Sequence, residues 1–150
     1  MKHQNSAEDR LHRSSETVGA VILLREDGSA LFQLRDDKPG LRHAGMWVPP
    51  GGHAEPNEPI EVCARRELLE ETDYDCADLQ WLTEFVDRVE GWPPYRITAF
   101  WASYDGIQQV RCREGQALEF IRREEANAYD IPAYLIDIWD MALSAAKGGK

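Results

Sequence analysis

Three glutamates near the middle of the 150-residue chain are spaced so that they could act together. Glu67, Glu70 and Glu71 occupy positions i, i+3 and i+4, so on a helix their carboxylates would share one face. The spacing alone favours a solvated acidic face, where repulsion between like charges is small. Carboxylate oxygens gathered at this spacing are also the ligands that Mg²⁺ or Mn²⁺ prefers. The surrounding residues decide between these two interpretations.

The acidic cluster belongs to a longer pattern. Gly52 is followed after five residues by Glu58 and, after seven more, by the run Arg66-Glu67-Leu68-Leu69-Glu70-Glu71. This pattern resembles the signature of the Nudix hydrolase family of MutT-like proteins, which places glycine, arginine and glutamates at these positions. Six such matches arise by chance on the order of 10⁻⁷ per starting position, so the resemblance is specific. The specific part covers only this central stretch.

The resemblance implies a cofactor and a reaction. The family hydrolyses the phosphoric anhydride bond of a nucleoside diphosphate linked to another group, with Mg²⁺ as cofactor and Mn²⁺ as its substitute. By resemblance, Glu70 and Glu71 bind the cation together with the carbonyl of Gly51. Glu67 is then the general base or a further metal contact. Arg66 orients Glu67.

Two more residues receive roles by resemblance. Glu58 is expected to pair with the arginine of the pattern and to fix the loop to the helix. The stretch Glu114-Gly115-Gln116 resembles a loop that supplies one more metal-binding carboxylate in the subgroup hydrolysing nucleoside triphosphates. A (deoxy)nucleoside triphosphate is therefore the first choice of substrate. The alternatives are sugar nucleotides or ADP-ribose, or a catalytically inactive nucleotide-binding regulator, which the complete set of acidic residues argues against.

One position departs from the family pattern. Asp73 stands where the family usually has glycine, just past the end of the helix. Such a position tends to need a left-handed backbone, which aspartate adopts more readily than most residues but less readily than glycine. We expect the departure to affect the turn rather than the chemistry. On this view Asp73→Gly leaves turnover nearly unchanged.

Five further residues are candidates for substrate contact. Arg35 could meet phosphates or form a surface salt bridge. Trp47 could line a nucleotide pocket or fill the core. His53 could touch the substrate or serve the structure. Trp92 and Tyr95 belong to a predicted loop, where an aromatic ring could stack on a base or hold the loop against the body.

The hydrophobic pattern predicts the elements that must position these residues. Strands are predicted over 17–24, 30–35, 79–89, 95–103 and 118–121, helices from Pro59 and over 132–146, and a helical turn over 122–128. The first two strands, and the third and fourth, are predicted to form hairpins. Asn57 or Glu58 is the expected cap of the first helix.

The element order predicts the architecture. Strands and helices in this order indicate an α/β fold, a mixed sheet with helices on both faces, and the Nudix resemblance implies the same α/β/α sandwich. The first helix carries apolar residues on two flanks, Ala64 with Leu68 and Val62 with Leu69, so we expect it to be sandwiched. One domain over 16–146 is predicted to follow a flexible polar arm over 1–15.

Composition narrows the possible partners. The net charge of −10 repels polyanions and argues against a nucleic-acid-binding module. Cys63, Cys76 and Cys112 are odd in number and lack C-x-x-C spacing, which favours reduced thiols in a cytoplasmic protein over disulfides or zinc. No apolar run suggests a secretory signal or a membrane span. The expected partner is a nucleotide, bound by a monomer or a homodimer.

Overall fold

The computed structural model describes residues 17–148, so the predicted arm over 1–15 lies outside the described residues. Within this range seven strands form one mixed sheet. The strands are β1 (Thr17–Leu24), β2 (Ala30–Leu34), β3 (Trp47–Val48), β4 (Gly51–His53), β5 (Gln80–Asp87), β6 (Tyr95–Ser103) and β7 (Ala117–Ile121). The helices are α1 (Ile60–Thr72), a 3₁₀ helix (Arg123–Ala128) and α2 (Ala133–Gly148).

The centre of the sheet is a parallel pair. β1 runs parallel to β6 from Thr17 beside Arg96 to Leu24 beside Ser103, and the other pairings are antiparallel. The strand order is β3-β2-β1-β6-β5, with β4 added to β1 and β7 added to β2. β1 reads as a continuous apolar run because parallel central strands are covered on both faces. The sheet therefore needs a layer on each side.

Two apolar clusters fill the spaces between the sheet and its two helices. Alternate residues of β1 point to opposite faces, so Val21 and Leu23 pack with Leu68 of α1, whereas Ile22 and Leu24 lie on the other face with α2. Each cluster combines buried side chains from several strands and one helix. The predicted α/β/α sandwich with a mixed sheet is confirmed.

The elements that the pattern predicted are present, and two short strands were missed. Both predicted hairpins form, β1 with β2 and β5 with β6. β3 and β4 span only two and three residues, and β4 contains the glycine pair. Glycine weakens a strand pattern, so periodicity could not reveal them. None of the helices in the described range 17–148 is both long and apolar enough to cross a membrane.

Two predictions about α1 were wrong. Pro59 is the N-cap, and no side chain in the described part of the chain caps the helix; Glu58 is engaged by Arg66 instead of by the helix backbone. The helix is also not sandwiched, since Val62 is 49% and Leu69 43% exposed. These two residues are seven positions apart and so lie on one line, which points away from the sheet. Residues 17–148 therefore cover α1 on one side only.

Candidate active site

The glycine pair lets β4 lie against both β1 and α1. A Cβ on Gly51 would come within 2.5 Å of the Gly19 carbonyl oxygen, and a Cβ on Gly52 would overlap the carboxylate of Glu67. The pair is therefore required by close approach of neighbouring groups rather than by unusual dihedral angles. The acidic face of α1 consequently lies directly beside the backbone of β4.

Glu71 is the most deeply buried of the clustered carboxylates, with 3% of its surface exposed. Its Oε1 accepts hydrogen bonds from the side-chain amide of Gln33 at 2.9 Å and from the backbone N–H of Gly51 at 3.1 Å. Burial raises the pKa of Glu71, and the negative charges of Glu114 and Glu67 raise it further. The protein thus keeps the Glu71 carboxyl group in surroundings where its ionisation is energetically unfavourable.

Glu67 is half-buried between this group and an arginine. Its carboxyl group is in hydrogen-bonding contact with Glu71, and its Oε2 accepts from Arg66 at 3.0 Å. Burial raises the pKa of Glu67, while the contacts with Glu71 and Arg66 oppose that rise. The side chain is therefore held in place from both sides.

Arg66 joins the loop before α1 to the acidic face. Its guanidinium donates two hydrogen bonds to Glu58, at 2.8 and 3.0 Å, and further ones to Glu67 and to the carbonyl of His53. It also contacts the exposed carboxylate of Glu70 at 3.3 Å. Pairing with Glu58 and the neighbouring acidic groups raises the pKa of Arg66. The pair with Glu58 is present, and its catalytic role remains a prediction.

The acidic face opens into a cavity of about 560 Å³. Glu67, Glu71 and Glu114 line one end of it, with the two glycines of β4. Four of the five residues proposed for substrate contact also line it: Arg35, His53, Trp92 and Tyr95. His53 and Tyr95 meet edge to face, with ring centroids 4.9 Å apart.

Four predicted site residues do not line the cavity: Glu58 and Arg66, whose contacts are given above, and Trp47 and Glu70. Trp47 packs edge-on against Tyr129, with ring centroids 5.3 Å apart, and adjoins the core cluster on the α2 side. Trp47 therefore packs with the core, as one of its two interpretations predicted, and does not line the cavity that would hold a substrate. Glu70 is turned to the surface, where its carboxylate meets Arg66.

Sequence reasoning missed the buried charges at the other end of the cavity. Arg42 is 5% exposed and donates to the carbonyls of Asp87 and Pro93, both at 2.7 Å. Its guanidinium lies 3.8 Å from the ring centroid of Tyr95. Through these contacts Arg42 holds the β5–β6 loop.

A second missed group lies beside Arg42. The hydroxyl of Tyr134 donates to Asp87 Oδ2 at 3.1 Å and lies 3.2 Å from Nε2 of His43. Burial lowers the pKa of His43 despite the nearby carboxylate of Asp87. His43 also has a left-handed backbone, with φ of 58°, which is uncommon outside glycine. Nothing in its local sequence signals these contacts, because Tyr134 is 91 positions away.

The acidic end has the donor atoms for a hard cation. Its side chains offer only oxygen, and the charges that act on buried Glu71 from Glu114 and Glu67 are negative. As they stand, however, no three His, Cys, Asp or Glu side chains within residues 17–148 come close enough together to hold a metal ion. The carboxylate of Glu70 faces Arg66 instead of the other carboxylates. The donor chemistry fits Mg²⁺.

Fold and site together define an α/β/α sandwich with an acidic helix facing a ligand-sized cavity. The chain belongs to the Nudix family, since the family model of the NUDIX domain matches residues 14–137. The family resemblance drawn from the acidic pattern is thereby confirmed.

Individual relatives agree with this assignment. The chain is 34% identical over 99 residues to the putative nudix hydrolase 1 of Caenorhabditis elegans, covering 65% of this chain and 26% of that protein. It is 44% identical over 62 residues to the putative 8-oxo-dGTP diphosphatase of Bacillus subtilis (strain 168), covering 41% of this chain and 38% of that protein. The chain thus spans well under half the length of these curated relatives.

A solved structure shares the fold. The crystal structure of MutT protein from Methanosarcina mazei Go1 matches with a TM-score of 0.75 at 19% identity, covering 88% of this chain and 95% of that one. At this identity the likeness concerns the fold alone.

Proposed function

We propose that the chain is a Mg²⁺-dependent pyrophosphohydrolase of (deoxy)nucleoside triphosphates, with Mn²⁺ as a substitute cofactor. The observation that carries this proposal is a cavity of about 560 Å³ that is lined both by carboxylates and by aromatic rings. Its size and mixed lining suit a small polar ligand. A nucleotide needs both kinds of lining, because its phosphates require cations and its base requires a flat apolar surface.

The acidic end supplies the residues for the cation. Glu71 and Glu114 would hold it with the Gly51 carbonyl, and Glu70 would join once it leaves Arg66. When bound, Mg²⁺ offsets the negative charge of the phosphate oxygens and lowers the pKa of water. The amide of Gln33 and the N–H of Gly51 keep Glu71 in place for this task.

Glu67 is the proposed general base. Water attacks one phosphorus of the anhydride, the bond from that phosphorus to the bridging oxygen breaks, and Glu67 accepts the proton of the water. Its position supports this role, because Glu67 lines the cavity and is held by Arg66 at 3.0 Å. Glu58 fixes Arg66 in turn through two hydrogen bonds. Arg66 and Glu58 therefore act by positioning.

The other end of the cavity would hold the base. Trp92 and Tyr95 both line the cavity, and stacking of a base on an aromatic side chain contributes about 1–3 kcal/mol. His43 lines this end with Nε2 engaged by its neighbours, which leaves Nδ1 of the neutral ring to accept a hydrogen bond from a base N–H. Arg35 also lines the cavity, where its guanidinium would bind a phosphate.

Two observations support a triphosphate among the possible substrates. The Glu114 loop lies at the acidic end of the cavity, where an added carboxylate helps to gather cations on a charged polyphosphate. The relative with 44% identity over 62 residues is named a putative 8-oxo-dGTP diphosphatase.

A substrate panel tests the proposal. Purified protein with Mg²⁺ is incubated with the common nucleoside triphosphates, 8-oxo-dGTP, ADP-ribose and a sugar nucleotide, and the products are separated by ion exchange. We expect a nucleoside monophosphate and pyrophosphate from a triphosphate, with Glu67→Gln as the inactive control. Cleavage of ADP-ribose or sugar nucleotides alone would move the substrate to that class. Binding of nucleotides without cleavage would favour a regulator instead.

A further inference from the structure

The loop that carries Glu114 is joined to the end of α1 through its backbone. The N–H of Arg111 donates to the carbonyl of Thr72 at 2.9 Å, and the N–H of Arg113 donates to that of Glu71 at 3.0 Å. The last carbonyls of a helix lack partners within the helix, so these bonds satisfy two of them. α1 has no basic residue in its last turn, and the two arginines bring positive charge to its negative end.

Asp73 adds a side-chain connection at the same place. It has a left-handed backbone, with φ of 68°, and its N–H donates to the carbonyl of Leu69 at 2.9 Å. Its Oδ1 accepts from Nε of Arg113 at 3.0 Å, and its Oδ2 lies 3.4 Å from a terminal nitrogen of Arg111. These two arginines, Arg113 first, lower the pKa of Asp73. The carboxylate therefore faces the loop.

The residues that follow Glu114 in the chain are fixed against β2. Gly115 has φ of 81°, and a Cβ there would come within 2.6 Å of the Leu34 carbonyl oxygen. The next residue, Gln116, donates its N–H to the same carbonyl at 2.8 Å. Glu114 thus stands between two anchors, of which only the Asp73 contacts depend on a charged side chain.

These contacts fix the chain on both sides of Glu114, whose side chain lines the cavity with Glu71. We propose that Asp73 is a positioning residue, which holds Glu114 at the acidic end of the cavity through Arg111 and Arg113. This inference rests on the proposed function, in which Glu114 serves the cation site.

If Asp73 served only the geometry of the turn, Asp73→Gly would behave differently from a variant that loses a positioning residue. Glycine adopts a left-handed backbone more easily than aspartate, and exposed ion pairs contribute little to stability. The side chains of Arg113 and Arg111 are 57% and 61% exposed. Asp73→Gly should therefore fold as well as the parent protein. If Asp73 positions the loop, this well-folded variant should still have a looser loop and a weaker metal site.

The test compares Asp73→Gly and Arg113→Gln with Asp75→Asn. The last variant is the matched control, because it changes another exposed aspartate–arginine pair, at 2.7 Å to Arg65, and leaves the backbone contacts of Asp75 with Gln108 in place. Metal-free protein is followed by hydrogen exchange over residues 109–116, and Mn²⁺ binding is measured by calorimetry. Melting temperature and kcat complete the comparison.

We expect both test variants to keep their melting temperature within a few degrees. Exchange at the amides of residues 111 and 113 should rise about tenfold or more. Mn²⁺ affinity should fall, and kcat at limiting metal should fall about tenfold, as for a misplaced site group. Asp75→Asn should change none of these. This expectation differs from the one drawn from the sequence, in which Asp73→Gly leaves turnover nearly unchanged.

Unchanged exchange and Mn²⁺ affinity in both test variants would overturn the proposal, whatever the activity. If only Asp73→Gly failed to fold, Arg113→Gln would still decide the matter by the same readouts. The exchange measurement needs neither metal nor nucleotide. If the wild-type protein hydrolysed no nucleotide, the proposed function would be wrong. Hydrogen exchange in the loop would still decide, by itself, whether Asp73 holds the loop.

Discussion

Glu67 and Glu70 are one helical turn apart and have different surroundings. Glu67 is half-buried, lines the cavity and is held by Arg66 and Glu71. Glu70 has a side chain that is 57% exposed, and it contacts Arg66 from the surface. A fixed carboxylate beside the substrate suits proton transfer, whereas a movable one suits an added ligand. The two residues should therefore fail in different ways when changed.

We expect Glu67→Gln to lower kcat by about 10²–10⁴, the loss typical of a positioned base, while metal and nucleotide binding persist. Glu70→Gln should weaken metal affinity instead, so high Mn²⁺ should restore part of the rate by mass action. The measurement is kcat as a function of Mn²⁺ concentration for both variants. Full recovery of Glu67→Gln at high Mn²⁺ would contradict its role as base.

Glu71→Gln should separate folding from metal binding. The amide oxygen can still accept from Gln33 and Gly51, and the variant loses a buried charge that repels Glu67 and Glu114. In EDTA its melting temperature should match or exceed that of the parent. Wild type should gain about 2.7 kcal/mol of stability at Mg²⁺ a hundredfold above its Kd, and the variant much less. An equal Mg²⁺ effect in both proteins would contradict the assignment of Glu71.

At the scale of elements, α1 buries one face and leaves the other exposed. Leu68 is fully buried and adjacent Leu69 is 43% exposed. Leu68→Ala should cost about 2–5 kcal/mol of unfolding free energy, because it leaves a cavity in the core. Leu69→Ala should change it by only about 0.5 kcal/mol. Chemical denaturation of the two variants checks this, and equal losses would mean that α1 is covered on its outer side too.

The conformation of the β5–β6 loop depends on buried Arg42. Arg42→Met leaves the carboxylate of Asp87 buried without its cationic partner, which should cost about 3–5 kcal/mol. We also expect a higher KM, because Tyr95 loses the guanidinium stacked on its ring. Arg88→Met, an exposed change in the same loop, is the control. Steady-state kinetics and thermal unfolding test both, and an unaltered KM in Arg42→Met would separate this loop from the substrate.

Sequence patterns predicted the features that depend on residues close together in the chain. β1, β6 and both α-helices follow from apolar periodicity, and the spacing of Gly52, Glu58 and the acidic run revealed the family. Arg42 could not be found in this way, because its partners Asp87 and Pro93 lie 45 and 51 positions away. The same holds for Trp47, whose burial depends on Tyr129 across the fold.

At the scale of the whole molecule, the cavity combines parts from distant segments. α1 and β4 supply the acidic end, the loop after β2 supplies Arg42 and His43, and α2 supplies Tyr134. The chain carries a net charge of −10, which opposes the approach of a polyanion. A bound cation reconciles that charge with a nucleotide substrate. Activity should therefore depend strictly on the divalent metal.

The most direct test is hydrolysis of a nucleoside triphosphate in ¹⁸O-labelled water with Mg²⁺, followed by mass spectrometry of both products. We predict cleavage to a nucleoside monophosphate and pyrophosphate, with one ¹⁸O atom in one product. The reaction should stop in EDTA and fall by about 10²–10⁴ in Glu67→Gln. Label in free phosphate, or an unchanged rate in either EDTA or Glu67→Gln, would contradict the proposed role of this cavity.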